Sequence, residues 1–155
     1  MSDRLLSGAF DIPTTALLVI LMIAAIIDIR SRQVPNRLVL TGLATTLVLL
    51  PIFQLLPFAH ALAGSVAGLL IFLPFYIIGM MGAGDVKLLA IVGSVLGPSD
   101  LIQATVHVFL AGGIVTVLYL LARRTSPPSQ NVPYAVAIAL GVVSYLVMGS
   151  SSTLT

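Results

Sequence analysis

Long apolar stretches fill most of this 155-residue sequence, and only short connections separate them. They cover roughly residues 12–29, 38–56, 58–80, 86–97, 101–122 and 132–149, each bounded by charge, Pro, Gly or Asn. Charged residues make up 8% of the chain, against about 25% in soluble domains. So short a chain has too little interior for its apolar side chains, and the surplus must face lipid. The sequence predicts an all-α integral membrane protein: a bundle of about six transmembrane helices in a single domain, 1–155.

Positive charges indicate how this bundle is oriented. Cations cluster after the first, third and fifth apolar segments, at Arg30, Arg32, Arg37, Lys87, Arg123 and Arg124. Cytoplasmic junctions carry an excess of Lys and Arg, so these three junctions are expected to be cytoplasmic and both termini to lie on the outer side, with Arg4 as the one exception. Two acids, Asp28 and Asp85, then lie on the cytoplasmic side, each next to an apolar helix.

Composition excludes several kinds of site. The chain has no Cys, and therefore no disulfide, thiolate nucleophile or iron–sulfur ligand. Seven Lys and Arg residues against five acids are too few for a surface that follows nucleic-acid phosphates. The two histidines, His60 and His107, are expected to be packed or outward-facing side chains. We expect no metal, no cofactor and no nucleic-acid partner, while the lipid bilayer is required by composition.

Asp28 ends the neutral run Ile23–Ile27 at the inner end of the first segment. Taken alone, this carboxylate has two interpretations. It is either a polar side chain at the membrane interface, neutralised by Arg30 or Arg32, or a functional acid inside the membrane.

Asp85 begins the fourth apolar segment and follows the sequence Gly82-Ala83-Gly84. Asp is favoured as the N-cap of a helix. A cap alone does not explain the two glycines, which let another chain approach the backbone closely, as an extended peptide substrate requires. The segment 86–97 has only twelve residues, about 18 Å of helix. Either Asp85 is sunken in a recess, or neighbouring residues extend the helix, or the bilayer thins locally.

Together the two acids favour a sharper hypothesis than either one alone. Two carboxylates that meet in a poorly solvated cleft do not both ionise easily, so they share one proton. One can then act as a general base on water while the other protonates a carbonyl oxygen. This is the aspartic mechanism of peptide hydrolysis, which needs no metal, cofactor or covalent intermediate.

Lys87, the only lysine, raises the alternative of a Ser–Lys dyad. Ser94 lies two turns farther along the same helix, about 10 Å away. Ser31 lies in an arginine-rich loop, which is too well solvated for an activated nucleophile. Lys87 is instead expected to mark the cytoplasmic boundary and to influence Asp85 electrostatically.

Glycines recur at GxxxG spacing in the third and fourth segments, at Gly64, Gly68, Gly93 and Gly97. This spacing lets helices approach closely in lipid. We therefore expect these glycines to serve helix packing.

Three stretches resemble the type IV prepilin peptidases, a bacterial family of GxGD-type intramembrane aspartic peptidases. The segment from Asp28 to Asn36 is similar to the family's Asp, basic loop and Pro-Asn. The segment Gly82-Ala83-Gly84-Asp85-Val86-Lys87-Leu88 nearly reproduces the family's signature. A weaker match, Val132–Ala139, is similar to the Pro-Tyr segment of the last helix. The three motifs keep the family's order and separation.

The resemblance implies residue roles and a reaction. The catalytic pair would be Asp28 and Asp85. The active-site loop, where substrate approaches, would hold Gly82, Ala83, Gly84 and Lys87, and the cytoplasmic basic loop would hold Arg30, Arg32, Pro35, Asn36 and Arg37. The implied activity is cleavage of a prepilin's basic leader after a Gly, at the cytoplasmic face of the bacterial inner membrane.

Two departures narrow the resemblance. Larger members carry a cytoplasmic domain between the first two helices, often with paired cysteines, and also methylate the new pilin N-terminus. Here the connection from Arg30 to Arg37 is too short for such a domain, and Cys is absent. The chain therefore resembles the compact members associated with tight-adherence (Flp) pili. We expect a Flp-type pilin or pseudopilin as substrate and no methyltransferase activity, and a homo-oligomer stays open.

Other functions compete with this one. Archaeal preflagellin peptidases have the same GxGD-type site. A non-enzymatic membrane scaffold, or a transporter-like subunit with a proton-relay pair, would also place two acids beside apolar helices. A peptidase requires both acids and an added prepilin, whereas a scaffold tolerates Asn at either position.

Overall fold

The computed structural model describes residues 11–31, 34–79, 81–122 and 134–151. Every regular element in these ranges is helical. The helices are α1 (Ile12–Ser31), α2 (Asn36–Ala44), α3 (Leu50–Ile52), α4 (Phe58–Ile77), α5 (Ala83–Ala122) and α6 (Tyr134–Ser151). A π-helical turn, Thr45–Leu49, joins α2 to α3. The all-α prediction is confirmed for the described part of the chain.

Prolines mark where two of these helices begin. Pro35 and Pro57 stand directly before α2 and α4 in extended conformations, with ψ angles of 137° and 130°. Proline lacks an N–H, which costs little at a helix start because the N–H groups there have no intrahelical partner. Pro51 lies inside α3, where its ring disfavours a regular turn before it. The wider π-helical turn Thr45–Leu49 occupies that position.

Helix α5 reverses direction at Gly97, which has φ 82° and ψ 169° and precedes Pro98. Its first half runs antiparallel to α4. Farther along α4, Phe72 packs on Phe109 of the second half, with ring centroids 5.7 Å apart. A straight helix would carry Phe109 about 24 Å beyond Gly93, away from Phe72. The chain therefore turns back on itself at Gly97, where the sequence predicted the turn between its fourth and fifth segments.

The first half of α5 is the central helix of the fold, and residues 88–97 are all buried. Helices α1, α2, α4 and α6 all contact α5. Helix α4 lies closest: a Cβ built on Gly64 would overlap the carbonyl oxygen of Gly93, and one on Gly68 would lie 3.1 Å from the Cα of Ala90. Such backbone contact needs residues without side chains. The expectation that these glycines serve packing is confirmed.

Three helical ranges in the described residues are long and apolar enough to cross a membrane: Ile12–Ser31, Phe58–Ile77 and Ala83–Tyr119. At most 28% of each apolar window is buried inside the fold, so most of these side chains face outward. The third range contains the reversal at Gly97 and is thus two shorter helices. The apolar helices indicate a membrane protein, while six spans and two outer termini stay predictions.

Candidate active site

Asp28 is a buried acid near the end of α1, and its side chain is only 5% exposed. It shares the buried face of α1 with Leu21 and Ala24. Its Oδ2 atom accepts a hydrogen bond of 3.0 Å from the backbone N–H of Ala135, the second residue of α6. The first N–H groups of a helix lack intrahelical acceptors, and the helix dipole favours negative charge there. Asp28 therefore caps α6 from another helix and is buried, while its position relative to the membrane interface stays a prediction.

Asp85 lies in the first turn of α5 and is half-buried. The helix begins at Ala83, three residues before the predicted segment, so neighbouring residues do extend it. Asp85 is therefore the third residue of α5 and not the N-cap that the sequence favoured. The Oδ2 atom of Asp85 instead reaches back and accepts a 3.2 Å hydrogen bond from the N–H of Gly82. This is the position of the acid in a capping box, which satisfies the N–H ahead of the helix.

The two carboxylates lie close enough for their charges to interact, although 57 positions separate them in sequence. Asp28 comes from α1 and Asp85 from α5, and the start of α6 adjoins both. Tyr134, its first residue, lies within electrostatic range of Asp85. The tyrosine Oη also packs on α5, 2.9 Å from a Cβ built on Gly112. The structure thus places both predicted acids near the N-terminus of a third helix, within electrostatic range of each other.

Sequence reasoning missed the contribution of α6. The stretch Val132–Ala139 stood out only through the resemblance, and neither Tyr134 nor Ala135 was proposed as a site residue. Val132 and Pro133 lie outside the described residues. A hydrogen bond between residues 107 positions apart leaves no local pattern in the sequence, so only the Pro-Tyr motif pointed to this helix.

The segment Val34–Asn36 packs against the start of α5. Lys87 donates a 3.0 Å hydrogen bond from Nζ to Oδ1 of Asn36. A Cβ built on Gly84 would lie 2.9 Å from the Cβ of Val34. Gly84 therefore accommodates a segment of the chain itself, a use that the sequence did not indicate.

Among the described residues, Lys87 and the two serines considered above form no Ser–Lys dyad. The ammonium of Lys87 is directed to Asn36 rather than to a hydroxyl. The hydroxyl of Ser94 is buried and donates to the carbonyl oxygen of Ile91 at 2.7 Å. Ser31 donates to the carbonyl oxygen of Ile27 at 2.9 Å.

The remaining predicted residues lie around the two acids to different degrees. Gly82 and Ala83, directly before Gly84 and Asp85 in the chain, are exposed. Among the basic-loop residues, Arg30 and Arg37 are exposed and Pro35 is half-buried, whereas Arg32 lies outside the described residues. Their roles in substrate approach stay predictions.

Both histidines are packed side chains, as expected. His60 contacts Gly97 at the reversal, and its Nε2 atom is buried without a hydrogen-bond partner in the described residues. His107 donates from Nδ1 to the carbonyl oxygen of Gln103 at 3.0 Å, and its ring meets Tyr145 edge-on at 5.8 Å. Within the described ranges, no group of three or more His, Cys, Asp or Glu residues could hold a metal ion.

Comparison with known proteins relates this geometry to a family. The model of the type IV leader peptidase family matches residues 15–121, which include Asp28 and Asp85. The chain is 31% identical over 141 residues to the prepilin leader peptidase/N-methyltransferase of Bacillus subtilis (strain 168). That alignment covers 90% of this chain and 56% of the relative, so the chain spans little more than half the length of that protein. No solved structure matches the chain.

The family match covers more than half of the sequence and contains the two acids, the glycines before Asp85 and the segment that packs against them. It agrees with the resemblance found in the motifs and with the membrane character of the helices. This chain belongs to the type IV leader peptidase family.

Proposed function

We propose that this protein is an intramembrane aspartic endopeptidase that removes the basic leader of a prepilin. It cuts after a Gly at the cytoplasmic face of the bacterial inner membrane, and Asp28 and Asp85 are its catalytic residues. The observation that carries the proposal is that these two carboxylates, from α1 and α5, lie within electrostatic range of each other beside the start of α6.

The environment of the two acids supports this chemistry. Asp28 is buried and Asp85 is half-buried, so little water screens the charges from each other. Two close carboxylates in such a site share one proton. Each also has one oxygen held by a backbone N–H, from Ala135 and from Gly82. The hydrogen bonds fix the orientation of both side chains and leave the second oxygen of each for the reaction.

The reaction balances with these two groups alone. The ionised carboxylate takes a proton from water as the water oxygen attacks the scissile carbonyl carbon. The protonated carboxyl gives its proton to the carbonyl oxygen, forming a tetrahedral diol. The C–N bond then breaks as a proton passes to the leaving nitrogen, and the diol returns the other proton to the pair. The products are the leader's carboxyl end and the pilin's free amino end.

The substrate follows from the family and from the site's position. The relative from Bacillus subtilis is named as a prepilin leader peptidase, and the family model is that of leader peptidases. A prepilin offers a basic leader followed by an apolar helix, which suits a site beside outward-facing apolar helices. Within this class we propose a Flp-type pilin or pseudopilin, and we do not extend the proposal to methyl transfer.

The test is cleavage of a co-expressed prepilin, followed by the mass of the pilin. Asp28→Asn and Asp85→Asn should each lower the cleavage rate by about 10²–10⁴-fold, because neither amide exchanges a proton as a carboxyl does. Asn keeps a carbonyl oxygen that accepts the backbone hydrogen bond, so both variants should still be present in the membrane. Asp100→Asn is the matched control, since Asp100 follows the reversal at Gly97, at the opposite end of the first half of α5 from Asp85.

The three possible results of the cleavage assay distinguish the proposed function from its alternatives. Loss of cleavage in both variants, with an active Asp100→Asn, supports the aspartic dyad. Continued cleavage in either variant refutes the dyad, because the acid replaced in that variant is then not catalytic. If the wild-type protein cuts no prepilin, the proposed substrate is wrong, and a preflagellin leader becomes the next substrate to test.

A further inference from the structure

The segment Val34–Asn36 makes two separate contacts with the first turns of α5. One is polar, the 3.0 Å hydrogen bond from Lys87 Nζ to Asn36 Oδ1. The other is apolar, the packing of Val34 against Gly84, where a Cβ would lie 2.9 Å from the Cβ of Val34. We call this pair of contacts the clip. The clip joins two parts of the chain that are about fifty residues apart in sequence.

Short stretches of chain connect the clip to the two acids. Val34 lies six positions after Asp28, and the start of α2 at Asn36 follows directly. On the other side, Gly84 and Lys87 flank Asp85 within the first turns of α5. A displacement of α5 at the clip is therefore passed to Asp85 through less than one turn of helix.

The start of α5 is anchored on one side by Met81 and Val86, which are buried in the core. Gly82 and Ala83 ahead of Asp85 are exposed, and a glycine at a helix start leaves the backbone free to move. Helix ends also fray, because their first N–H groups have no intrahelical acceptor. The hydrogen bond from Gly82 to Asp85 orders this turn internally but does not tie its exposed side to a neighbouring element. The clip ties it to the start of α2.

The direction of the Lys87 side chain decides between two roles for this residue. Lys87 is two positions after Asp85, so the two side chains project from different sides of the helix. Its ammonium binds the neutral amide of Asn36. The contact with Asn36 thus gives Lys87 a structural role, while its electrostatic influence on Asp85 stays a prediction.

We propose that Asn36 and Lys87 are positioning residues, whose hydrogen bond holds the first turn of α5 so that Asp85 meets Asp28. The proposal rests on the proposed function for its effect on cleavage, but the contact itself can be tested without any substrate. The clip touches no reacting atom, so its loss should impair the chemical step and leave substrate binding intact.

The first test is a double-mutant cycle on prepilin cleavage. Asn36→Leu and Lys87→Met keep the approximate size of each side chain and remove the hydrogen bond. Each should lower kcat by about tenfold with KM within about twofold, since misplacing a catalytic group acts on the chemical step. The double variant should be about as active as either single one, because the same bond is lost only once. Asn36→Asp keeps an acceptor for Lys87 and should retain activity.

The second test is hydrogen exchange in the full-length protein in detergent, with no prepilin present. In Asn36→Leu and in Lys87→Met, the backbone amides of residues 81–89 should exchange about tenfold faster, because opening of the first turns becomes easier. Exchange elsewhere in α4 and α6 should be unchanged. Gln103→Leu, an exposed change in the second half of α5, is the control and should alter neither segment.

These results separate the two proposals. If the amide exchange rates of residues 81–89 are unchanged in both variants, the positioning role of the clip is refuted, whatever the cleavage assay gives. A rise in KM with constant kcat, or additive losses in the double variant, also overturns it and assigns the two residues to substrate contact. If the wild-type protein does not cleave prepilin, the proposed function fails, whereas faster exchange in both variants still establishes the clip.

Discussion

Replacing Gly64 with Ala is expected to destabilise the protein by about 2–3 kcal/mol. A Cβ at this position would overlap the carbonyl oxygen of Gly93, and would lie 2.7 Å from the carbonyl carbon and 3.0 Å from the Cα of Gly97. Ordinary contacts of a Cβ are 3.4–4 Å. All three neighbours are backbone atoms of the buried first half of α5, so no side-chain rotation relieves the overlap. The two helices must separate, and the dispersion energy of their contact is lost.

The same substitution at Gly113 should have the opposite sign. A Cβ built there meets nothing within 4 Å, and the residue is exposed in the second half of α5. Ala is favoured over Gly inside a helix by about 0.5–1 kcal/mol. Gly113→Ala should therefore stabilise the protein by up to about 1 kcal/mol. The pair compares one chemical change in two settings and separates helix packing from helix propensity.

The assay is unfolding of the purified protein in mixed micelles as the fraction of SDS increases. Helicity reports the transition, and the free energies of unfolding of both variants are compared with that of the wild type. Gly64→Ala should unfold at a lower SDS fraction and Gly113→Ala at an equal or higher one. If Gly64→Ala is as stable as the wild type, α4 and α5 do not approach at Gly64. If both variants lose the same free energy of unfolding, the effect comes from replacing glycine in a helix and not from the contact between α4 and α5.

Three further changes test other contacts by the same titration. Gly97→Ala should lower the free energy of unfolding by about 2 kcal/mol, because a φ of 82° is unfavourable for a residue with a Cβ; an unchanged stability would contradict the reversal. Asp28→Leu should cost about 1–3 kcal/mol more than Asp28→Asn, since only Leu leaves the Ala135 N–H without an acceptor; equal stability would argue against that hydrogen bond. Gly84→Ala should cost about 1–2 kcal/mol by pressing on Val34, and a stabilised variant would rule out that contact.

The positions of the helices were largely predictable from the sequence because apolar length and helix breakers are local signals. Proline and glycine mark the ends that the structure has at Pro35, Pro57 and Gly97. The start of α5 was not predicted correctly, because Gly82–Gly84 has the composition of a loop. Ala83 and Gly84 are nevertheless helical, since Asp85 satisfies the N–H of Gly82 and completes the first turn.

The candidate site divides in the same way. The two acids stood out because a carboxylate beside an apolar helix is costly unless it has a partner or a function. Their partners could not be predicted, because the N–H of Ala135 and the amide of Asn36 are common groups that become specific only in three dimensions. Gly84 has a packing role that the sequence did not indicate, because Val34 of the same protein lies against it, while its role in substrate approach stays a prediction.

Both acids are held by the start of a helix, and this arrangement makes α6 part of the proposed site. Asp28 accepts a hydrogen bond from the N–H of Ala135 at the start of α6. Asp85 accepts one from the N–H of Gly82, directly before α5. Backbone donors remain whatever side chain is present, and each helix dipole offsets part of the cost of burying a negative charge. One oxygen of each acid is thereby fixed while the other is left for chemistry. A displacement of the first turn of α6 must therefore move Asp28 relative to Asp85, even though α6 carries neither acid.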